Sequence, residues 1–193
     1  MVLPGGLNAE TKAEVYNVVA DAAERVNDLS PEDLRDIVTA CARMRVCLTR
    51  PLEQAIGEIV VRPHELSAHE VASICWALAT LAWPRPTAVL HALGDRAADT
   101  LSNFELGELA QLGWAFAVFD AQHALFEPGS AYWEAVVSMR LQLRHEHETL
   151  LHQAVLWRRE IGREPALPED MRMRLGAAFR RTRAEVRWAG STR

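Results

Sequence analysis

The sequence predicts an all-α protein, a short α-solenoid of 37–38-residue helix-pair repeats with capping helices at both ends. Three observations predict it. Alanine and leucine dominate, β-branched runs are scarce, and no alternating stretch is long enough to read as a strand. One pattern of apolar, acidic and small residues returns three times at a nearly constant interval. Each return is followed by a second apolar-periodic segment, so that the unit is a helix pair that must stack on its neighbour to bury its face.

Residues 9–27 form one amphipathic segment, a capping helix for the first repeat, within an N-terminal region 1–28. The repeats occupy 29–145. The first runs from Leu29-Ser30-Pro31-Glu32-Asp33-Leu34 to Ala40-Cys41-Ala42. The second runs from Leu66-Ser67-Ala68-His69-Glu70-Val71 to Ala77-Leu78-Ala79, and the third from Phe104-Glu105-Leu106-Gly107-Glu108-Leu109 to Ala115-Phe116-Ala117. Val71 lies 37 positions after Leu34, and Leu109 lies 38 after Val71. Ser30 before Pro31 puts a capping hydroxyl ahead of a proline at the first helical position, where the missing N–H costs nothing. Ser67 with Glu70 has the spacing of a capping box. Leu34, Ile37, Cys41 and Met44 share one stripe, as do Val71, Ile74, Leu78 and Leu81. Trp76 and Trp114 fill one place in successive repeats and read as a core ladder rather than a ligand platform.

The second helices are expected at 50–61, 86–101 and 127–141, the last capped by Ser130. A degenerate repeat and a basic C-terminal helix make up 146–193. One helix is expected at 148–162, and another opens at Leu167-Pro168-Glu169-Asp170 and runs towards Trp188.

Charge divides the chain. The formal net charge of -5 argues against a uniformly basic nucleic-acid coat. Residues 1–138 carry 19 acids against 9 bases, whereas residues 139–193 carry 12 arginines against 7 acids. Lys12 is the only lysine. Arginine suits bidentate phosphate contact, although GC-rich coding would leave the same bias. Cys41, Cys47 and Cys75 sit in apolar helical patterns without a C-x-x-C pair, and read as buried free thiols. No apolar run reaches the roughly 18 residues of a membrane helix. The first 24 residues are acid-bearing, with Lys12 as their one base, unlike an Arg-rich transit peptide. The expectation is therefore that no such signal is present, that it has been removed, or that the chain is a fragment.

The segments LSAHEVASICWALATLAW and FELGELAQLGWAFAVFD resemble octotricopeptide repeats, whose first helix reads like S-P-Q-E-L-A-N-x-x-W-A-x-A. They also resemble the related repeats of the Fas-activated serine/threonine kinase-like family. LLHQAVLW (150–157), with Glu160 and Leu167-Pro168, resembles the helix that ends such arrays before a RAP domain. The likeness spans roughly residues 29 to 175; Thr39 stands where the first repeat's tryptophan would be, and only FRRTRAEVRWAGSTR hints at the start of a RAP domain.

The resemblance implies a non-enzymatic, RNA-associated protein of the mitochondrion or, alternatively, the plastid. It implies a ribosome component or adaptor in contact with rRNA and neighbouring protein subunits, or a transcript-specific maturation or stability factor. RNA-facing residues of this family lie on the first helix, which here gives Asp36, Ser73 and Gln111, with Asp33, Glu70 and Glu108 nearby. Four of these six are acidic, a departure from a phosphate-binding surface. The residues themselves offer a second candidate, the run Arg158, Arg159, Arg163, Arg172, Arg174, Arg180, Arg181, Arg183 and Arg187. The same run could equally be a solvated helix face laced by salt bridges. A protein–protein scaffold without RNA contact is the competing class, favoured by the acidic front. His145, His147 and His152 with Glu146 and Glu148 suggest no metal site, because His145 and His147 face different sides of a helix. No nucleophile–base pair, phosphate loop or dinucleotide fingerprint is present, and no cofactor, small-molecule substrate or membrane is expected.

Overall fold

The computed structural model describes residues 13–14, 17–18, 21, 25–45, 49–84 and 86–190, with side chains as far as Arg181 except those of Asn27 and Thr49. Most of the expected capping helix 9–27 lies outside the described residues, as do Cys47 and the side chains of Arg183, Arg187 and Trp188. Among the described residues the fold is all-α, with eight helices and no strand. They are α1 (Pro31–Met44), α2 (Thr49–Val61), α3 (Ala68–Thr80), α4 (Thr87–Asp99), α5 (Leu106–Val118), α6 (Ala131–Ser138), α7 (His145–Glu160) and α8 (Glu169–Gly190). The chain forms two compact units, Met1–Arg96 and Ala97–Arg193, and the division falls inside α4.

In the first unit α1 packs on α3 and α2 packs on α1. They bury most of the stripe read from the sequence, Leu34, Ile37 and Cys41 of α1 with Val71, Ile74 and Leu78 of α3, whereas Met44 and Leu81 at its ends are half-buried. Val38 of α1 and Leu52 and Ile59 of α2 are buried as well. Each fully buried aliphatic of this size contributes about 1.5–3 kcal/mol. Cys41 and Cys75 are both buried, and burial pushes the Cys75 thiol far above its ordinary range.

In the second unit α7 packs between α5 and α8, and α6 lies against α5. An aromatic cluster fills its centre: Phe116 and Phe126 are 4.6 Å apart between ring centroids, Phe126 and Tyr132 4.8 Å, and Tyr132 and Trp133 4.9 Å. The Tyr132 hydroxyl donates to the Leu109 carbonyl at 2.8 Å. It can reach that carbonyl because residue 113 of α5 is glycine: a Cβ there would lie 2.2 Å from the hydroxyl oxygen.

One backbone junction recurs four times along the chain. A 3-10 turn (Val26–Asp28, Pro63–Glu65, Leu101–Asn103, Arg140–Gln142) leads into an apolar residue, Leu29, Leu66, Phe104 or Leu143. The next residue is the extended N-cap of α1, α3, α5 or α7. Ser30 with Asp33 and Ser67 with Glu70 close full capping boxes, and in α5 the Glu108 carboxylate accepts from the Glu105 amide at 2.9 Å. In three of the junctions an arginine from later in the chain holds the carbonyl of the apolar residue. Arg62 donates to Leu29, Arg96 to Leu66 and Arg174 to Leu143, at 3.1, 2.8 and 2.6 Å.

The far ends of these helices also share a geometry. Arg45, Ala82, Asp120 and Gly162 follow α1, α3, α5 and α7 with φ of 52°, 50°, 49° and 72°. After the last three, the next amide reaches back to a carbonyl in the helix: Trp83 to Leu78, Ala121 to Phe116 and Arg163 to Arg158. That is the Schellman closure, here made with a non-glycine residue in two of the three cases.

Three expectations are corrected. The helix expected at 127–141 is confined to Ala131–Ser138, because Pro128-Gly129 forms a turn in which Gly129 has φ 76°. Ser130 stands at the N-cap without capping; its hydroxyl donates instead to the Leu125 carbonyl at 2.6 Å. Trp76 and Trp114 are half-buried rather than core, and the Trp114 indole N–H donates to Gln153 at 2.8 Å.

Candidate nucleic-acid interface

The arginines of the C-terminal region stand on α7, on the turn after it and on α8, and the structure sorts them into three groups. Arg158 is the surprise. Helical periodicity puts Glu148, Leu151, Val155 and Arg158 on the stripe of α7 that faces inward, so the arginine is 0% exposed. Its guanidinium lies 3.2 Å from Glu127 and 3.5 Å from the Gln122 side chain, with its Nε hydrogen-bonded to none of the described residues. An arginine with no exposed surface cannot meet a phosphate from solution. Arg158 therefore leaves the expected RNA surface and belongs to the core.

The second group is exposed but already paired. Arg163 donates to Glu127, which Arg158 shares. Burial pushes the Glu127 carboxyl up, while Arg163 and then Arg158 more than reverse this and leave it below its ordinary value. Arg172 pairs with Glu169 one turn away. Arg174 and Arg181 of α8 both reach Glu148, a buried carboxylate in the first turn of α7. A carboxylate there is favoured by the helix dipole as well as by the two guanidinium groups. Two carboxylates, Glu148 and Glu127, thus occupy four of the arginines, and nothing in the sequence reading paired them. The signal for Glu148 is its place on the α7 stripe; for Glu127, more than 30 positions from Arg158, there is none.

The third group is Arg159 and Arg180, both exposed and without an ion-pair partner among the described residues. Near them in the chain, His152 of α7 has its ring against Phe179 of α8, with centroids 4.8 Å apart. Partial burial, then Arg159, then Arg180 hold the His152 imidazole below its ordinary value.

The first-helix candidates sit elsewhere. Asp36 on α1 is exposed and accepts from the Arg35 guanidinium at 2.7 Å. Ser73 on α3 and Gln111 on α5 are half-buried. Their acidic neighbours act structurally, since Asp33, Glu70 and Glu108 accept from the amides of Ser30, Ser67 and Glu105 at their own helix starts. The hydrogen bonds from the Ser30 side chain and amide hold the Asp33 carboxyl below its usual value.

Among the described residues no group of three or more His, Cys, Asp or Glu is placed to hold a metal ion. No helix among them is long and apolar enough to cross a membrane. No family model and no curated protein matches the chain, and the reading of this interface therefore rests on its own geometry.

Proposed function

We propose that this chain is a non-enzymatic, RNA-associated helical-repeat protein of a mitochondrial ribonucleoprotein, a ribosome component or adaptor that contacts rRNA and neighbouring protein subunits. The carrying observation is the pair of exposed guanidinium groups of Arg159 and Arg180, without an ion-pair partner among the described residues, in a region holding 12 of the 21 basic residues. A cationic region on an otherwise acidic chain is a local contact rather than a coat, as an adaptor requires. The organelle and the ribosome come from the octotricopeptide likeness of 29–175, and the same likeness keeps a transcript-specific factor and a plastid site as alternatives. The four-fold junction geometry supports the repeat reading, since solenoid repeats are joined by one local turn used again and again.

A protein–protein scaffold is the second reading, and one observation favours it. Arg163, Arg172, Arg174 and Arg181 are matched to carboxylates of the chain itself, as on a surface whose charges are internally satisfied. Crosslinking the native protein to RNA in a cell extract separates the two. Crosslinks within 140–190, with rRNA recovered and sedimentation with ribosomal particles, support the adaptor. Recovery of one messenger RNA would favour the transcript-specific factor. A stable protein partner after nuclease treatment, with RNA at background, would remove RNA from the function.

A further inference from the structure

We propose that His152, Arg159 and Arg180 form an anion site that holds backbone phosphates of single-stranded RNA and takes up a proton as it does so. The inference rests on the RNA reading above and names the part of the interface that would carry it. It begins from elimination within the cluster. Arg158 is buried, while Arg163, Arg172, Arg174 and Arg181 each have a carboxylate of the chain at hand. A phosphate taken by any of those four must first displace that carboxylate. Arg159 and Arg180 have no such competitor among the described residues.

The geometry brings the third group to them. His152 and Arg159 are seven positions apart on α7, two turns of one helix face and about 10 Å along the axis. From α8, Phe179 fixes the imidazole by ring contact, and Arg180 is the next residue. The Arg180 guanidinium lies back over Gly176, one turn earlier, with Nη1 3.6 Å from where a Cβ would be, an ordinary contact. The charged groups that face His152 are therefore Arg159 on its own helix and Arg180 on α8. Glu148, one turn back on α7, is occupied by Arg174 and Arg181. Packed on the other side of α7, α5 offers the Trp114 indole to Gln153 rather than a charge.

Partial burial and then the two cations oppose protonation of the imidazole, and an anion bound beside it favours the protonated form. Binding then draws a proton onto His152, and the site gains a third cation when it is filled. A single carboxylate cannot span two turns of helix, whereas a polymer with one charge per nucleotide can meet both arginines. That favours a nucleic-acid strand over an acidic side chain. The partly exposed His152 and Phe179 rings, tilted against each other, are of the kind that single-stranded RNA sites use beside their cations.

The test uses the full chain and a tetramethylrhodamine-labelled twelve-nucleotide oligo(U), whose bases and label do not titrate between pH 5.5 and 7.5. Anisotropy is read at both pH values at constant ionic strength, with far-UV circular dichroism confirming the fold. The expected affinity rises about tenfold on acidification, the order of one linked proton. His152→Gln should remove the rise, so that its own affinities at the two pH values agree within about twofold. Arg159→Gln and Arg180→Gln should each weaken binding at both pH values and lower the salt slope by about 1. Inorganic phosphate should compete only weakly. A His152→Gln variant that keeps the rise, or arginine variants that bind as the parent does, would overturn this site while leaving RNA association intact. No oligo(U) binding at either pH removes both the site and the RNA reading. A polyglutamate peptide of equal charge that binds as tightly would reassign the site to an acidic protein.

Discussion

Replacing Gly113 by alanine sets helix propensity directly against packing. In an exposed helix the exchange stabilises by about 1 kcal/mol. In α5 the new Cβ would fall 2.2 Å from the Tyr132 hydroxyl oxygen, 3.2 Å from its Cζ and 3.3 Å from the Ala154 Cβ. The first distance is impossible, so the ring must move, and its buried hydroxyl loses the Leu109 carbonyl. Overpacking of this kind costs about 1–3 kcal/mol. An unsatisfied buried hydroxyl costs a further 1–3 kcal/mol or so. Set against the propensity gain, the net loss is about 3 kcal/mol, read by urea unfolding followed by circular dichroism. Gly57→Ala is the control, because that exposed glycine of α2 has nothing within 4 Å of a Cβ and should gain about 0.5–1 kcal/mol. Combining Gly113→Ala with Tyr132→Phe removes the colliding oxygen, so the double variant should be more stable than the sum of the singles by at least about 1 kcal/mol. A Gly113→Ala variant as stable as the parent, or singles that simply add, would refute this account of the glycine.

Three further outcomes are expected from the structure. Ala82 holds a left-handed conformation at φ 50°, so Ala82→Gly should stabilise by about 1 kcal/mol in thermal or urea melts. Asp120→Gly relieves the same strain but should gain nothing, because the Asp120 carboxylate accepts from the Trp157 indole at 2.6 Å. Arg158→Met should leave the urea midpoint close to the parent's, while Glu127→Gln, which strands a buried guanidinium, should lower it clearly. His152 is held below its ordinary value of 6.5 in the fold, so its neutral form is the one the native state favours. That contribution is complete above pH 6.5 or so and is lost as the pH falls through the lower, folded value; melting curves of His152→Gln should be flatter than the parent's across this window.

What the sequence made legible is what lies close along the chain. Ser30 and Ser67 cap as their positions suggest, and Leu34, Val71 and Leu109 are buried where the period puts them. Less local features were hidden. The fourth junction, at Leu143, escaped because Arg144 and His147 stand where a serine and a glutamate would advertise a capping box. Arg158 read as one more member of an exposed basic run because its partner, Glu127, comes from a distant turn. The stripe Glu148-Leu151-Val155-Arg158 held that information, but an arginine on an apolar stripe is normally read as its edge. Ser130 occupies the position of a cap, and only the fold of the preceding turn sends its hydroxyl to Leu125. Within the site, Arg159 and Arg180 were visible as residue types. That they alone of the described cluster are left open depends on where Glu127, Glu148 and Glu169 stand.

The recurring junction also bears on how such a chain can change length. From Leu29 to Leu66, Phe104 and Leu143 the intervals are 37, 38 and 39 residues, yet the 3-10 turn and the extended N-cap return each time. A residue added to a helix rotates everything after it by about 100°, which in a continuous helix would turn the apolar stripe out of the core. Here the turn and its extended N-cap set the phase of the next helix afresh. Local capping side chains stand at α1, α3 and α5, and a later arginine holds the carbonyl at three of the four junctions. The junction acts as a register reset, and insertions or deletions between two resets are absorbed locally rather than passed down the chain.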